Sequence, residues 1–418
     1  MVMHHTNNAT KVAEVNNSIH SALAKARQGF SLPAEFYASD SIFDLEMKTF
    51  LGKHWQCVTH ESLLPEVGDF VTHDFGLESA IVTRGKDKTI RAFANVCRHR
   101  GSRICDKASG RAKNGVFVCP YHAWSYATDG RLISARMFPP EFDKTPYGLK
   151  ELPSRIVQGL IFIAFDENPL KFEDCEKNID ESLGPYGWKS ARVAHRAKVI
   201  MNANWKLALE NQVECYHCAP AHPEFSVVHA QSRANEAELN ALIAKRAGEQ
   251  GIEFPTLDHW VDQAKPGFEM ASSKRHAMKQ GVCTASRDGS PIAPLMGDFK
   301  QYDEGMGTTY VGPFNHLLTY TDYGALFCYV PMSTRKTVLN ITWLVRSDAK
   351  EGIDYDLGNL TWLWDITAEA DRKIVEQNQL GIDSKFYQPG PYAMPIEILT
   401  ARLCKWYLNQ MSSIENLQ

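Results

Sequence analysis

Two short stretches, CRHRGSRICD (97–106) and CPYHAWSY (119–126), decide how the front half of this 418-residue chain is read. Together they spell C-x-H followed by C-x2-H, with Cys97, His99, Cys119 and His122 as the metal-ligating side chains. Two thiolates and two imidazoles in this order suit an iron–sulfur cluster in which one iron takes sulfur and the other nitrogen. Zinc is the alternative for any Cys/His quartet. Structural zinc, however, favours C-x2-4-C knuckles, or C-x2-C followed by H-x3-5-H, and a Cys and a His one residue apart are awkward ligands for a single tetrahedral ion. Gly101 and Ser102 after the first pair, and Pro120 inside the second, turn the loops and let backbone N–H groups approach sulfur.

The two stretches resemble the Rieske [2Fe–2S] motif. By that resemblance Cys97 and Cys119 hold one iron and His99 and His122 the other. Residues 100–118 form a slightly longer separation than the motif commonly carries, which predicts a longer strand connection around Gly110–Gly115. Rieske proteins of respiratory and photosynthetic complexes also carry a disulfide between the two loops. Cys105 has no counterpart in the second loop, where Tyr121 stands, so the resemblance is to the lower-potential oxygenase type.

The length suits two domains, and a net charge of −4 gives no nucleic-acid signal. There is no run of 18 apolar residues, so no membrane partner is expected. The N-terminus MVMHHTNNATK lacks an apolar leader core, which predicts a cytoplasmic chain. In that reducing compartment the ten cysteines are expected to stay unbridged, those outside the cluster being buried thiols.

Three segments are expected: an N-terminal arm and helix over 1–44, a β-rich cluster domain over 45–165, and a catalytic domain over 166–418. Short alternating runs such as DFVTHDF, SAIVTRG and GLIFIAFDE predict antiparallel strands, with the cluster loops at the tips of two hairpins. Beyond 170 a helix capped by Asn204 is followed by a polar helix over 231–250. Three strand patterns over 308–346 and a long helix over 355–380 come next. The whole is α+β: a curved antiparallel sheet gripping a long helix, behind an antiparallel β domain.

The helix after Asn204 runs into ECYHCAPAH (214–222), an E-x2-H-x4-H pattern. Glu214 and His217 share a face of a continuous helix. His217 and His222, five apart, would diverge unless Pro220 ends or kinks it. Two histidines and one carboxylate make the facial triad of a mononuclear non-haem Fe(II) site that leaves positions open for O2. The long helix offers Asp365, Glu369 and Asp371. With Leu363, Ile366, Ala370 and Ile374 taken as its apolar face, Asp371 looks inward best. The segment DRKIVEQNQLG also resembles the helix that carries the third ligand in this family.

The combined pattern resembles the alpha (terminal oxygenase) subunit of Rieske non-haem iron oxygenases over about residues 45–390. That resemblance implies a Rieske [2Fe–2S] cluster, a mononuclear Fe(II), O2 as co-substrate and a homotrimer. Glu214 stands where the family commonly has Asp. It would bridge His217 to a Rieske histidine of a neighbouring subunit and pass electrons between them. Glu at this place, with the stretches NWKLALENQVECYHC and YQPGPYAMPIE, resembles the branch acting on glycine betaine, choline or carnitine. The chain carries neither a dinucleotide-binding G-x-G-x-x-G nor a plant-type ferredoxin cysteine set, so NAD(P)H is reached only through a separate flavin or iron–sulfur reductase.

Phe314, His316, Tyr320, Phe327, Tyr329 and Trp343 are the candidate substrate contacts. They are read either as an aromatic cage for a quaternary ammonium group, as an apolar lining for an aromatic ring, or as plain core. The leading expectation is hydroxylation or oxidative N-demethylation of a small quaternary ammonium compound. The second is an aromatic-ring hydroxylating oxygenase of the same architecture. A third, an electron carrier whose second half only binds, leaves the H-x4-H pattern unexplained.

Overall fold

The computed structural model describes residues 17–229, 235–255, 257–259 and 263–415. The start of the expected arm and the first residues of the expected 231–250 helix lie outside them. Between residues 56 and 163 the chain builds three small antiparallel sheets. One has five strands, in the order Ser109–Arg111, Asp69–Phe75, Glu78–Arg84, Ile90–Ala94 and Glu151–Leu152. The second pairs Val116–Val118, Ser125–Ala127 and Leu132–Ser134. The third pairs Gln56–His60, Leu160–Ile163 and Ser154–Val157. Only the second cluster stretch tops a hairpin. The first joins Ile90–Ala94 to Ser109–Arg111, which pairs with Asp69–Phe75 instead, so the expected twin hairpins become one hairpin and one crossing loop.

A seven-stranded antiparallel sheet dominates the second half. Its order is Ala191–Met201, Lys336–Arg346, Gly324–Ser333, Asn315–Thr319, Gly305–Val311, Ala271–Ala277 and Leu257–His259. The TTYVGPFNHLLTY stretch, read as one strand pattern, is two strands, because Gly312 takes a φ of 59° between them. Gly324 admits no side chain: an added Cβ would lie 2.4 Å from the buried Trp188 ring. Asn315 welds the two halves together. Its Oδ1 accepts from Cys57 N at 2.7 Å and its Nδ2 donates to Trp55 O at 2.8 Å.

The long helix Leu357–Ile382 packs on strand Ala191–Met201 and buries Leu360, Leu363, Trp364, Thr367, Ala368, Val375, Gln379 and Ile382. This stripe is rotated from the apolar face expected on the wheel: Ile366 and Ile374 are 40% and 37% exposed. Polar residues account for the shift. Gln379 is inward because its side-chain oxygen accepts from Asn204 N at 2.9 Å, a partner the wheel does not see. Thr367, Asp371, Val375 and Gln379 recur every four residues, so Asp371 lies within the inward stripe rather than at its edge.

The N-terminal arm is part of the catalytic core. Phe36, Tyr37, Ile42 and Phe43 pack in one cluster with Trp205 and with Tyr407 of the C-terminal helix Ile398–Glu415. Behind them Lys206 Nζ meets Glu46 Oε1 at 2.7 Å, with side chains 3% and 0% exposed, and Trp205 Nε1 donates to Glu46 Oε2 at 2.9 Å. Among the described residues no helix is long and apolar enough to cross a membrane.

Candidate active site

The two cluster stretches fold into facing loops. In the first, Cys97 N donates to Ser102 O and Gly101, with φ 76°, donates back to Cys97 O. In the second, Cys119 N donates to Trp124 O and Ala123 N to Cys119 O. Both cysteines are buried among Phe70, Phe93, Phe117 and Tyr126. The Tyr126 hydroxyl accepts from Arg98 N at 3.0 Å, which leaves its proton for Cys97 Sγ at 3.2 Å. Burial and that sulfur together raise the phenol pKa, so it stays a donor. A donor on a ligating sulfur raises a cluster's potential.

The His99 and His122 rings lie 4.7 Å apart, and His99 stacks on Trp124. Partial desolvation, then repulsion from His99 and Arg100, lowers the His122 pKa and favours the neutral imidazole that metal binding needs. His99 Nδ1 is buried with no hydrogen-bond partner. Two buried thiols and two adjoining imidazoles on these loops, one imidazole carrying an orphaned nitrogen, fit a Rieske [2Fe–2S] group. Asn95, which the motif does not flag, holds the first loop: its Oδ1 accepts from Ile104 N and Cys105 N, and its Nδ2 donates to Cys105 O.

The second site gathers His217, His222 and Asp371, whose ligand atoms all lie within 4.8 Å of one another. His222 Nε2 sits 2.8 Å and His217 Nε2 3.3 Å from the same Asp371 Oδ1. The convergence does not arise as expected. The helix capped by Asn204 ends at Gln212, so Glu214 and His217 belong to a loop. Pro220 lies inside the one-turn helix Cys218–Ala221, where its missing N–H is not needed. The chain breaks instead at His222, with φ −129° and ψ 69°, before the helix Pro223–Val228. Cys215 and Cys218 are joined by a disulfide across the His217 loop, against the expectation of ten unbridged cysteines. The other eight are free, and all but Cys105 and Cys283 are buried.

Glu214 faces His217 Nδ1 with one oxygen and Tyr216 N with the other. His217 therefore turns Nε2 to the triad and Nδ1 to a carboxylate, the arrangement that orients a ligating imidazole. Burial pushes the His217 pKa down, but Asp371 and Glu214 outweigh it and lift it to about 9. Burial pushes Asp371 up, and hydrogen bonds to His217 and His222 outweigh it and hold the carboxyl below its usual range. The carboxylates that keep a proton on His217 would equally hold a divalent cation, and this donor set fits a mononuclear Fe(II).

A cavity of about 790 Å³ opens at the triad. Besides the ligands, Phe225, His229, Tyr310, His316, Trp364 and Arg402 are on its wall. Of the six aromatic candidates read from the sequence, only His316 is there. Tyr320 and Tyr329 stand one layer back, bonded to His229 and to Gln212, and Phe327 packs behind Trp364 at 5.1 Å. Phe314 lies against Trp205 and Phe75, and Trp343 against His195, away from the cavity. These strands are buried on both faces, so alternation cannot say which side meets a ligand. Phe225 and Trp364 carried a readable signal: they lie one turn after His222 and two turns before Asp371.

Comparison with known proteins follows this division. Residues 54–152 match the Rieske [2Fe-2S] domain and residues 184–413 the ring hydroxylating alpha subunit (catalytic domain). The chain is 35% identical to the glycine betaine monooxygenase oxygenase subunit of Chromohalobacter salexigens, over 94% of this chain and 88% of that one. It is 37% identical to the carnitine monooxygenase oxygenase subunit of Escherichia coli over 49% of this chain and 55% of that one. The crystal structure of the quaternary ammonium Rieske monooxygenase CntA with an inhibitor shares the fold, with a TM-score of 0.71 at 24% identity, covering 93% of this chain and 97% of that chain.

Proposed function

Since the chain belongs to the Rieske oxygenases, as an alpha subunit of the ring-hydroxylating family, we propose that it oxidises an N-methyl group of a small quaternary ammonium compound of the glycine betaine, choline or carnitine type. The observation that carries this reading is the make-up of the cavity. Phe225 and Trp364, 6.1 Å apart, line the cavity next to the candidate iron ligands, and aromatic rings in such a lining attract a desolvated cation. Glu236, Asn240, Lys274 and Arg402 are also on the wall, with Lys274 paired to Glu236 at 3.2 Å, so the apolar lining carries polar groups of both signs that a charged substrate can use. An aromatic relative, the large oxygenase component of a 2,4-dinitrotoluene dioxygenase system from Burkholderia, is 36% identical but over only 44% of this chain, against 94% for the glycine betaine relative.

Cys97, His99, Cys119 and His122 would hold the cluster, and His217, His222 and Asp371 the mononuclear iron. When bound, the two groups supply one-electron transfer and dioxygen activation. The residues supply the rest. Glu214 fixes the His217 ring, and from its loop it would bridge to a Rieske histidine of a neighbouring subunit in a trimer. Phe225 and Trp364 orient the methyl groups towards the triad. The balance is one O2, two electrons and two protons per N-methyl oxidised. One oxygen atom enters the C–H bond and the other leaves as water. The resulting hemiaminal breaks its C–N bond to release formaldehyde, the demethylated amine and a proton. The electrons come from a separate NAD(P)H-dependent reductase. We place the cluster unit at 45–165 and the catalytic unit at 166–418, with an arm of 1–44 ahead of them whose Phe36, Tyr37, Ile42 and Phe43 pack on the latter.

The test is reductase-coupled O2 uptake with glycine betaine, choline, carnitine and a panel of aromatic acids. Uptake matched by formaldehyde with one of the first three is expected. Uptake with an aromatic acid and no formaldehyde would overturn the reading.

A further inference from the structure

Glu224 stands two places after His222, on the first turn of the helix Pro223–Val228, and belongs to none of the patterns read from the sequence. Its Oε1 lies 3.5 Å from His222 Nδ1, with side chains 12% and 1% exposed. Both atoms are buried, and neither has a hydrogen-bond partner among the described residues. Two unpaired polar atoms facing each other in a protein interior call for a reason.

The reason lies at the other ring nitrogen. His222 Nε2 is 2.8 Å from Asp371 Oδ1. A carboxylate oxygen accepts, so Nε2 carries the ring proton in this contact, and Nδ1 turns a lone pair towards the lone pairs of Glu224. Ligation reverses this. Nε2 can hold a metal only through its own lone pair, which places the proton of the neutral ring on Nδ1, facing Glu224 Oε1. The rest of His222 is already fixed. Its N–H donates to Cys218 O at 2.9 Å, and its carbonyl accepts from Ser226 N and Ser226 Oγ at 3.0 Å each. Rotation of the imidazole is the freedom that remains, and a bond at Nδ1 removes it.

We propose that Glu224 is the positioning residue of His222, its carboxylate accepting from Nδ1–H when Nε2 ligates the mononuclear metal. Each imidazole of the triad is then backed by a carboxylate from the same stretch of chain, Glu214 three residues before His217 and Glu224 two after His222. The two differ in timing. Glu214 already meets His217 Nδ1, whereas the Glu224 bond closes only on ligation, so it adds to metal affinity and not to the stability of the protein before loading. A carboxylate behind a ligating imidazole fixes the ring and raises its basicity, and its loss costs about 10- to 100-fold in metal affinity.

The experiment is anaerobic competition between the full chain and a ferrous chelator, with the cluster absorption and the urea midpoint recorded alongside. Glu224→Ala removes the acceptor, and Glu224→Gln keeps an acceptor oxygen at the same reach. The expected result is a loss of about 10- to 100-fold in ferrous affinity in the Ala variant, recovery of most of it in the Gln variant, and no change in cluster absorption or urea midpoint. Should Ala disturb either, Glu224→Leu, which fills the same space without an acceptor, is titrated in its place with the same expectation. An affinity within about twofold of wild type in the variant without an acceptor, or a Gln variant as weak as that one, overturns the Glu224 assignment. The inference rests on reading His217, His222 and Asp371 as an iron site. Wild-type protein that takes up no iron beyond the cluster overturns that reading, whereas normal uptake indifferent to Glu224 overturns only this one.

Discussion

Glu210 gives a prediction whose sign runs against the usual behaviour of carboxylates. It stands two residues before the end of helix Trp205–Gln212, next to the loop of His217. Its Oε1 accepts from Tyr37 Oη at 2.8 Å, its Oε2 from Tyr392 Oη at 3.4 Å, and Cys404 Sγ lies 3.7 Å from Oε1. The nearby cation on its own helix, Lys206, is already held by Glu46. Burial therefore dominates over these hydrogen bonds and over Lys206, and raises the carboxyl from 4.5 to about 7. In that interval the folded protein binds more protons than the unfolded chain, so stability falls as pH rises from 4.5 to 7 and then levels off. The interval corresponds to at most about 3 kcal/mol, an upper bound because Glu210 keeps some contact with solvent. Glu210→Gln supplies the neutral form permanently. Urea unfolding of both proteins at pH 5 and pH 8.5 checks this. The two should be alike at pH 5, and the variant should be more stable at pH 8.5 by up to that amount. Parallel pH curves, or a variant weaker than wild type at pH 8.5, would refute the argument that this carboxyl is forced neutral by its enclosure.

The metal assignments separate by content. Asp371→Ala should lose the mononuclear iron and keep the visible absorption of the cluster, Cys97→Ala should do the reverse, and Glu369→Ala should lose neither, since Glu369 pairs with Arg372 on the outer face. Metal analysis with an absorption spectrum reads all three. Glu214→Gln should retain both metals and lower turnover about 10- to 100-fold, because it removes the charge behind His217 while leaving the ligand in place; steady-state O2 uptake measures it. Glu46→Ala strands Lys206 as a buried, uncompensated charge and should destabilise the protein by about 3–5 kcal/mol in the same urea assay.

How much of this was legible from residues alone follows from what each signal depends on. The Cys97–His122 pattern and the E-x2-H-x4-H pattern are local in the chain and chemically specific; the His99 and His122 rings lie 4.7 Å apart, and His217 and His222 gather with Asp371. The Asn204 cap is equally local, and its side chain accepts from Lys206 N at 3.1 Å. Where a reading needed to know what lay opposite, it slipped. The apolar wheel over Leu357–Ile382 was turned by partners such as Asn204, which meets Gln379 from 175 residues away. The aromatic cage failed as a set because strands buried on both faces offer no alternation, and five of its six members face core or stand a layer behind the wall. The disulfide between Cys215 and Cys218 depends on the tight turn of a loop that the sequence presented as helix.

The helix Trp205–Gln212 shows why the chemistry sits on a loop beyond it. Lys206 is tied to Glu46 on the helix Asp40–Thr49, and Glu210 to Tyr37 of the N-terminal arm and to Tyr392 near the C-terminus. Asn211 and Gln212, next in the chain, already line the cavity. One turn thus has its structural face locked from behind and its last residues open to the site, and a continuation of the helix would carry Glu214 and His217 along the same fixed surface. Leaving the helix after Gln212 frees them to be placed by other means: the Cys215–Cys218 link across the turn, the Glu214 carboxylate on His217 Nδ1, and the break at His222 before Pro223. The ligands are therefore positioned by short-range constraints within a loop whose base is rigid. That combination lets two imidazoles five residues apart meet one carboxylate from a helix roughly 150 residues further on, and it makes the shape of the loop, rather than the pitch of a helix, the determinant of the candidate metal site.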